Sequence, residues 1–241
     1  MNKFRPIIIS GPSGSGKDTI IKLLISRNVG IHDALGYTTR KPREGEVNGR
    51  EILFTSIEVF KSMIENEQLI EYTRFAGNYY GMPIEEVKNA SKRLTIFNVG
   101  ISGAKAIKQF NENSVAILIL PPTKEDLLLR LGNRGIERFE RAKQDVEEAI
   151  QFFDYLIISP NNLVDEAASK IEDIIFDRAM VEQYKIERAI NFLEKYFWLK
   201  RKCLKMTLLF LIYYYFGGKW NEFNNYNFVL VSNIFFNSTY I

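Results

Sequence analysis

The chain has 241 residues, of which 46% are hydrophobic and 25% charged, and this composition excludes a wholly disordered, collagen-like or disulfide-framework protein. Its formal net charge of +3 gives no support to a nucleic-acid partner. A single cysteine, Cys203, and a single histidine, His32, exclude an internal disulfide and a Cys/His zinc set, which favours a reducing, cytoplasmic setting. The apolar run at residues 7–9 is too short for a signal peptide.

Short apolar runs alternate with amphipathic stretches through residues 1–177, a pattern typical of βαβ units and a parallel sheet flanked by helices. Thr123 and Asp126 form a capping pair at the start of one predicted helix. The run 115–120 lacks alternation and therefore predicts an interior strand with both faces covered. We expect strands at 6–10, 94–99, 115–120 and 155–158, and helices at about 17–26, 104–110, 124–131 and 138–152.

The block at about 36–88 interrupts this alternation and predicts a smaller inserted α+β lobe over the cleft. It contains strand-like pieces at 51–54, 69–73 and 78–80 and one helix near 57–65. From residue 165 to about 201 the pattern is helical again, and residues 178–205 are predicted to be a helical extension of the 1–177 domain.

The composition changes abruptly near residue 205. Residues 206–241 contain two charged side chains, Lys219 and Glu222, with 12 aromatic residues and six asparagines. Behind a basic stretch, the apolar run 206–216 is shorter than the roughly 20 residues of a membrane span. An interfacial membrane anchor is one interpretation of this tail. The other, which we favour, is a poorly ordered extension.

Directly after the first predicted strand, residues 11–19 read GPSGSGKDT, which has the spacing of a P-loop between a strand and a helix. Its glycines let successive N–H groups turn toward phosphate oxygens, and the following helix adds its positive dipole end. Lys17 brings a positive charge to the β- and γ-phosphates of a nucleotide. The predicted ATP-binding residues are Gly11, Pro12, Ser13, Gly14, Ser15, Gly16, Lys17, Asp18 and Thr19.

The residue after the P-loop lysine is Asp18, where the motif has a Ser or Thr whose hydroxyl binds Mg²⁺. A carboxylate is also a hard oxygen ligand, and the hydroxyl of Thr19 is adjacent. Asp18 and Thr19 are therefore the predicted Mg²⁺ ligands.

A second phosphate site is predicted in the inserted block, where residues 38–46 read TTRKPREGE. Arg40 and Arg43 lie three residues apart around a proline, and such a pair can clamp a phosphate bidentately. With the P-loop and the strings IEY (70–72), GNYYG (77–81) and LGNRG (131–135), this segment resembles the guanylate kinase family, in order and roughly in spacing, over residues 5–177.

The resemblance implies the fold of P-loop nucleoside monophosphate kinases and the transfer of phosphate from ATP to GMP with Mg²⁺. Arg40 and Arg43 match arginines that hold the GMP phosphate, and Tyr80 matches a tyrosine on the same phosphate. Glu71 matches the carboxylate that reads guanine. One carboxylate accepts from both N1–H and N2–H₂ of guanine, and adenine lacks this edge.

The resemblance also assigns residues to catalysis. Arg134 matches an arginine of the lid, at about 132–140, and Arg138 an arginine on the following helix that meets the transferred phosphoryl group. The expected catalytic residues are Lys17, Arg40, Arg134 and Arg138, and the expected GMP-binding residues are Arg40, Arg43, Glu71, Tyr80 and Asn98.

Several positions depart from the family pattern. Gly36 replaces a serine, Ile52 a phosphate-binding tyrosine, and Met82 a Ser or Thr that helps to read the base. The strand that should end in acidic-x-Asp ends in Asn98, Val99 and Gly100. Asn98, Gly100 and Ile52, together with Asp18 in the P-loop, predict a slow or metal-sensitive enzyme.

Two other functions remain open from the sequence. Residues 14–18 (GSGKD) and Asn98 resemble ribose 1,5-bisphosphate phosphokinases, although Glu71 argues for guanine. A non-catalytic guanylate-kinase-like binding module is the other alternative, although such modules tend to lose the P-loop lysine and Lys17 is present.

Overall fold

A computed structural model of the chain describes residues 4–50, 52–132, 152–161 and 163–176. Within these residues the elements are β1 (Ile7–Ser10), α1 (Lys17–Arg27), β2 (His32–Asp33), β3 (Tyr37–Thr38), β4 (Leu53–Phe54), α2 (Ile57–Glu65), β5 (Leu69–Phe75), β6 (Asn78–Pro83), α3 (Ile84–Asn89), β7 (Thr95–Asn98), α4 (Ile101–Phe110), β8 (Val115–Leu120), α5 (Lys124–Leu131), β9 (Tyr155–Ile158) and α6 (Val164–Ile175).

Five strands form a parallel sheet in the order β2-β7-β1-β8-β9. All six residues of β8 are buried between β1 and β9, which confirms the predicted interior strand. Leu24 of α1 and Ile171 of α6 join one buried cluster with Ile7 and Ile9, whereas Ile107 of α4 belongs to a second cluster. The expected parallel sheet flanked by helices is therefore confirmed.

A second sheet, in the order β4-β3-β6-β5, is built from residues 37–83. Strands β5 and β6 form an antiparallel hairpin whose two turn residues, Ala76 and Gly77, both have positive φ, as a type I′ turn requires. Helix α2 begins at the cap Ser56, whose side chain accepts from the backbone of Val59, and it buries Phe60 completely. This lobe is inserted between β2 and β7 of the parallel sheet.

Some predicted elements differ in length from the observed ones. Helix α4 begins at Ile101 and not at 104, because Gly100 takes the extended N-cap conformation and the helix starts directly after it. The predicted strand 51–54 is reduced to β4, since Ile52 makes only an isolated bridge to Asn48. Strands β2 and β3 and helix α3 were not predicted, because two-residue strands and a six-residue helix give almost no periodicity.

Helices α1, α2 and α5 agree closely with their predicted ranges. The cap of α5 is also confirmed, as Thr123 Oγ1 accepts from Asp126 N at 3.0 Å and donates to Asp126 Oδ2 at 2.7 Å. The predicted helix at 138–152, the lid and the segment 178–241 lie outside the described residues. In the part of the chain that the structure describes, none of the helices combines the length and apolarity needed to cross a membrane.

Candidate active site

The P-loop lies at the carboxyl end of β1, between that strand and α1. A Cβ at Gly11 would overlap the carbonyl oxygen of Ile119, so the loop can pass β8 only with glycine at this position. Gly16 caps α1 with φ 89°, a left-handed conformation that glycine adopts without strain. Lys17 is then the first residue of α1, at the positive end of the helix dipole.

Arg130 of α5 fixes the outer side of this loop. Its Nη1 donates to the carbonyl oxygens of Gly14 and Ser15, at 3.3 and 3.2 Å. Its Nη2 donates to the Ser159 carbonyl at 2.8 Å and to Asn161 Oδ1 at 2.7 Å. By binding these carbonyls from outside, the guanidinium favours the orientation in which the P-loop N–H groups face inward.

A second contact joins the P-loop helix to the neighbouring strand. Asn98, the last residue of β7, donates from Nδ2 to Asp18 Oδ1 at 2.9 Å. Both residues are exposed at the carboxyl edge of the parallel sheet. The predicted Mg²⁺ ligand Asp18 and the predicted acceptor residue Asn98 are therefore direct partners.

In the lobe, Arg40 is held by Glu46. Nη1 donates to Glu46 Oε2 at 2.5 Å and Nη2 to Oε1 at 2.7 Å, and the backbone N–H of Arg43 donates to the same Oε2 at 2.7 Å. The Arg40 hydrogen bonds hold the pKa of Glu46 at about 2 and raise the pKa of Arg40. A Tyr80 hydrogen bond also raises the pKa of Arg40, so Glu46 and Tyr80 both interact with this guanidinium.

The Arg40 guanidinium already has partners within the lobe, whereas the Arg-x-x-Arg spacing predicts only a phosphate clamp. The two Nη atoms of Arg40 are already paired with Glu46, and Nη1 also donates to the Lys41 carbonyl at 3.0 Å. Among the described residues Nε of Arg40 has no hydrogen-bond partner, and it is buried. A phosphate that binds both Nη atoms must take an N–H of Nη1 from either the Lys41 carbonyl or Glu46, because both N–H groups of that atom are already used. The Arg-x-x-Arg spacing gives Glu46 no role.

Glu71 lies where the lobe meets the parallel-sheet domain. Burial raises the pKa of its carboxyl, and the Ser102 hydroxyl, which donates to Oε2 at 3.4 Å, partly offsets the rise. The carboxylate fits against α4 because residue 103 is glycine, since a Cβ there would lie 3.0 Å from Glu71 Oε1 and 3.0 Å from Val99 Cβ. Gly103 is therefore a site residue that sequence reasoning missed.

A single segment, residues 98–103, connects the two halves of the site. Its first residue, Asn98, bonds to the P-loop helix, and Ser102 and Gly103 contact Glu71. The donor loop and the candidate base-reading carboxylate are thus one short segment apart.

The protein-family model for guanylate kinase matches residues 3–178. The chain belongs to the guanylate kinase family. It is 39% identical over 178 residues to the guanylate kinase of Prochlorococcus marinus (strain MED4). This alignment covers 70% of this chain and 95% of that relative. It is 37% identical over 191 residues to the guanylate kinase of Mesoplasma florum, covering 75% of this chain and 63% of that protein.

Among solved structures, the crystal structure of guanylate kinase from Anaplasma phagocytophilum matches with a TM-score of 0.61 and 24% identity. The match covers 83% of this chain and 98% of that one, and it supports the fold. The guanylate kinase family has a P-loop nucleoside monophosphate kinase fold, as expected from the sequence.

The departures from the guanylate kinase pattern have local structural counterparts. A Cβ at Gly36 would lie 3.1 Å from the Gly81 carbonyl oxygen and 3.8 Å from the end of the Met82 side chain. Met82 is 3% exposed and packs in the cluster that contains Val99. The two residues expected to depart from the family pattern, Gly36 and Met82, are thus adjacent in an apolar part of the structure. Gly100, in contrast, has open space beside it, because none of the described residues outside its chain neighbours comes within 4 Å of where a Cβ would lie.

Two of the guanylate kinase residues expected from the sequence, Arg134 and Arg138, lie outside the described residues. Two others that contribute to the geometry, Arg130 and Glu46, were missed. The only sequence signal for Arg130 is its position four residues before the lid arginine, and for Glu46 its place at the end of the TTRKPREGE string.

Proposed function

We propose that this chain transfers the γ-phosphoryl group of ATP to GMP, with ATP on the P-loop and GMP on the inserted lobe. Membership of the guanylate kinase family supports the type of reaction. The environment of Glu71 is the single observation that supports guanine as the base of the acceptor. Glu71 is a carboxylate in the contact between lobe and α4, where the described residues give it one hydrogen-bond donor, Ser102, at 3.4 Å. Its remaining lone pairs suit the two parallel N–H donors of guanine.

Phosphoryl transfer depends mainly on positioning and charge neutralisation. In this proposal Lys17 and the P-loop N–H groups bind the β- and γ-phosphates of ATP. Arg130 holds the loop from outside through its contacts with the Gly14 and Ser15 carbonyls. Arg134 and Arg138 are assigned to the transferred phosphoryl group by their match to the family motif.

The acceptor phosphate is assigned to Arg40, Arg43 and Tyr80. Glu46 orients the Arg40 guanidinium and occupies one N–H of each of its Nη atoms. Arg43 is exposed, and its backbone N–H bonds to the same carboxylate, which fixes the backbone of Arg43 beside Arg40.

Guanylate kinases use ATP with Mg²⁺, and the residues proposed to hold the ion here are Asp18 and Thr19. Both side chains are exposed and offer hard oxygen donors, as Mg²⁺ prefers. Within the described residues no three His, Cys, Asp or Glu side chains cluster as a metal site, which fits an ion held by one carboxylate together with phosphates and water. When bound, Mg²⁺ neutralises charge on the β- and γ-phosphates.

The test is a coupled assay of the full chain with ATP and a panel of acceptors: GMP, dGMP, AMP and ribose 1,5-bisphosphate. We expect turnover with GMP and dGMP and none with AMP. Turnover of ribose 1,5-bisphosphate in preference to GMP would overturn the assignment of the acceptor. Binding of ATP and GMP without turnover would support a binding module instead.

A further inference from the structure

The hydrogen bond between Asp18 and Asn98 has a specific chemical consequence at the edge of the parallel sheet. Asp18 is the second residue of α1, and Asn98 ends β7, the strand that pairs with β1. In the register of these strands Asn98 lies beside Ile9, two residues before the P-loop begins. The amide is therefore placed by the sheet itself and approaches Asp18 from the strand side.

The bond engages one carboxylate oxygen. Nδ2 of Asn98 donates to Oδ1 at 2.9 Å, and no hydrogen bond to Oδ2 is found among the described residues. A side-chain amide that holds Oδ1 restricts the rotation of the carboxyl group and leaves Oδ2 available to a ligand. Partners of this kind, which orient a metal-binding side chain without touching the ion, commonly change metal affinity by about 10–100-fold when they are removed.

The two segments that make this bond contain a single carboxylate. In the P-loop (residues 11–19) and in the segment 98–103, Asp18 is the one carboxylate. A second carboxylate at position 98 would place two like charges at close range, which is unfavourable unless a cation lies between them. An asparagine at 98 therefore complements an aspartate at 18, since the amide donates a hydrogen bond and adds no negative charge.

We propose that Asn98 is a positioning residue for the Asp18 carboxylate, and that positions 18 and 98 form a coupled pair that holds one carboxylate toward the Mg²⁺ of MgATP. This inference rests on the proposed assignment of Mg²⁺ to Asp18. It gives Asn98 a role on the donor side of the reaction, in place of the acceptor-binding role expected from its position in the motif.

We expect the Mg²⁺ effect on ATP affinity to survive an exchange of the residues at 18 and 98 better than a change of either residue alone. The variants are Asp18→Asn, Asn98→Ala, Asn98→Asp and the exchange Asp18→Asn with Asn98→Asp. The matched control is Asn113→Asp, the same chemical change in an exposed turn before β8, at the opposite edge of the sheet. The readout is ATP affinity by calorimetry in the full chain, with Mg²⁺ and without it, together with the unfolding temperature of the ligand-free protein.

We expect Asp18→Asn and Asn98→Ala to reduce the gain in ATP affinity that Mg²⁺ provides, by on the order of tenfold or more, with metal-free ATP binding nearly unchanged. Asn98→Asp should lower the unfolding temperature without Mg²⁺, and Mg²⁺ should restore it, because a cation neutralises the paired carboxylates. The exchange variant should keep more of the Mg²⁺ effect than either Asp18→Asn or Asn98→Ala, and Asn113→Asp should change none of these quantities.

The outcomes separate the metal assignment from the positioning role. If Asp18→Asn leaves the Mg²⁺ effect intact, the ion is not held by Asp18 and the metal assignment fails. If Asp18→Asn removes the effect but Asn98→Ala does not, the metal assignment stands and the positioning role of Asn98 is wrong. An exchange variant as defective as Asp18→Asn would also overturn the coupled pair. GMP phosphorylation by the unmodified chain is measured alongside. A failure of the proposed kinase function is therefore recognised separately from a failure of the Asp18–Asn98 pair.

Discussion

The P-loop and the acceptor lobe recognise their ligands with different parts of the chain. The donor loop is built from backbone N–H groups, and its shape follows from glycines at fixed positions and from Arg130, which binds its carbonyls. The acceptor side is built from charged side chains, Arg40, Glu46 and Glu71, which already interact with the protein or are buried before any ligand arrives. In the proposed assignment the donor loop is therefore shaped before ATP binds, whereas GMP meets charged side chains that already have partners in the lobe.

This contrast implies that a donor-site change should alter one ligand and little else. An acceptor-site change should alter ligand affinity and protein stability together, because the same side chains serve both.

The largest effect is expected for Lys17→Ala. The side chain is assigned to ATP phosphates and not to the core, so ATP binding should be lost while the unfolding temperature stays within a degree or two. Calorimetric titration and thermal unfolding measure the two quantities. Lys22→Ala, an exposed lysine later in α1, is the matched control. An ATP affinity unchanged in Lys17→Ala would show that the loop is not a working P-loop.

Glu71→Gln tests the acceptor side. The amide turns one acceptor oxygen into a donor that faces the guanine donors, and GMP affinity should fall by on the order of 2–4 kcal/mol. Because burial raises the pKa of Glu71, its ionisation opposes folding. Without ligand, the variant should therefore be more stable than the parent near pH 7. This difference in stability should disappear at low pH, where Glu71 of the parent is protonated.

Thermal unfolding at several pH values, next to GMP titrations, checks both parts of the Glu71 prediction. Glu65→Gln, an exposed carboxylate at the end of α2, serves as the control. Weaker GMP binding with no pH-dependent gain in stability would mean that Glu71 is solvated in the free protein.

Glu46→Gln tests how much the Glu46–Arg40 pair stabilises the lobe. With a folded-state pKa of about 2 against an ordinary 4.5, Glu46 contributes stability that is present above pH 4.5 and lost as the pH falls toward 2. The loss in the variant should be at most about 3 kcal/mol at neutral pH and should shrink across that window. Denaturant unfolding from pH 7 to pH 3 measures it, with the exposed Glu44→Gln as the control.

The smallest effect is expected for Gly103→Ala. The added methyl group would press on Glu71 Oε1 and Val99, which should weaken GMP binding by about 1–2 kcal/mol and leave ATP binding unchanged. Gly100→Ala is the matched control, since a Cβ there would meet open space among the described residues. Equal GMP affinities in the two alanine variants would show that Gly103 is not needed to seat Glu71.

Local patterns were sufficient to predict the P-loop, α1, α5 and its Thr123 cap, and the buried strand β8, because each depends on neighbours in the sequence or on continuous burial. The partners of the site residues could not be predicted in this way. Asp18 meets Asn98, and Arg130 meets Gly14 and Ser15, only because parallel strands bring their carboxyl ends to one edge of the sheet. The assignments of Arg134 and Arg138 stay predictions.

The position of β1 in the middle of the sheet has a consequence for the order in which the chain folds. Ile7 pairs with Ile96 on one side and with Val115 on the other. Strand β1 can therefore pair only after β7 and β8, which follow the whole inserted lobe, have been synthesised. Pairings this distant in sequence close slowly, whereas the β5–β6 hairpin of the lobe joins residues a few positions apart. The lobe hairpin should therefore form first, and the P-loop should become competent for ATP only in the last, slow step of folding.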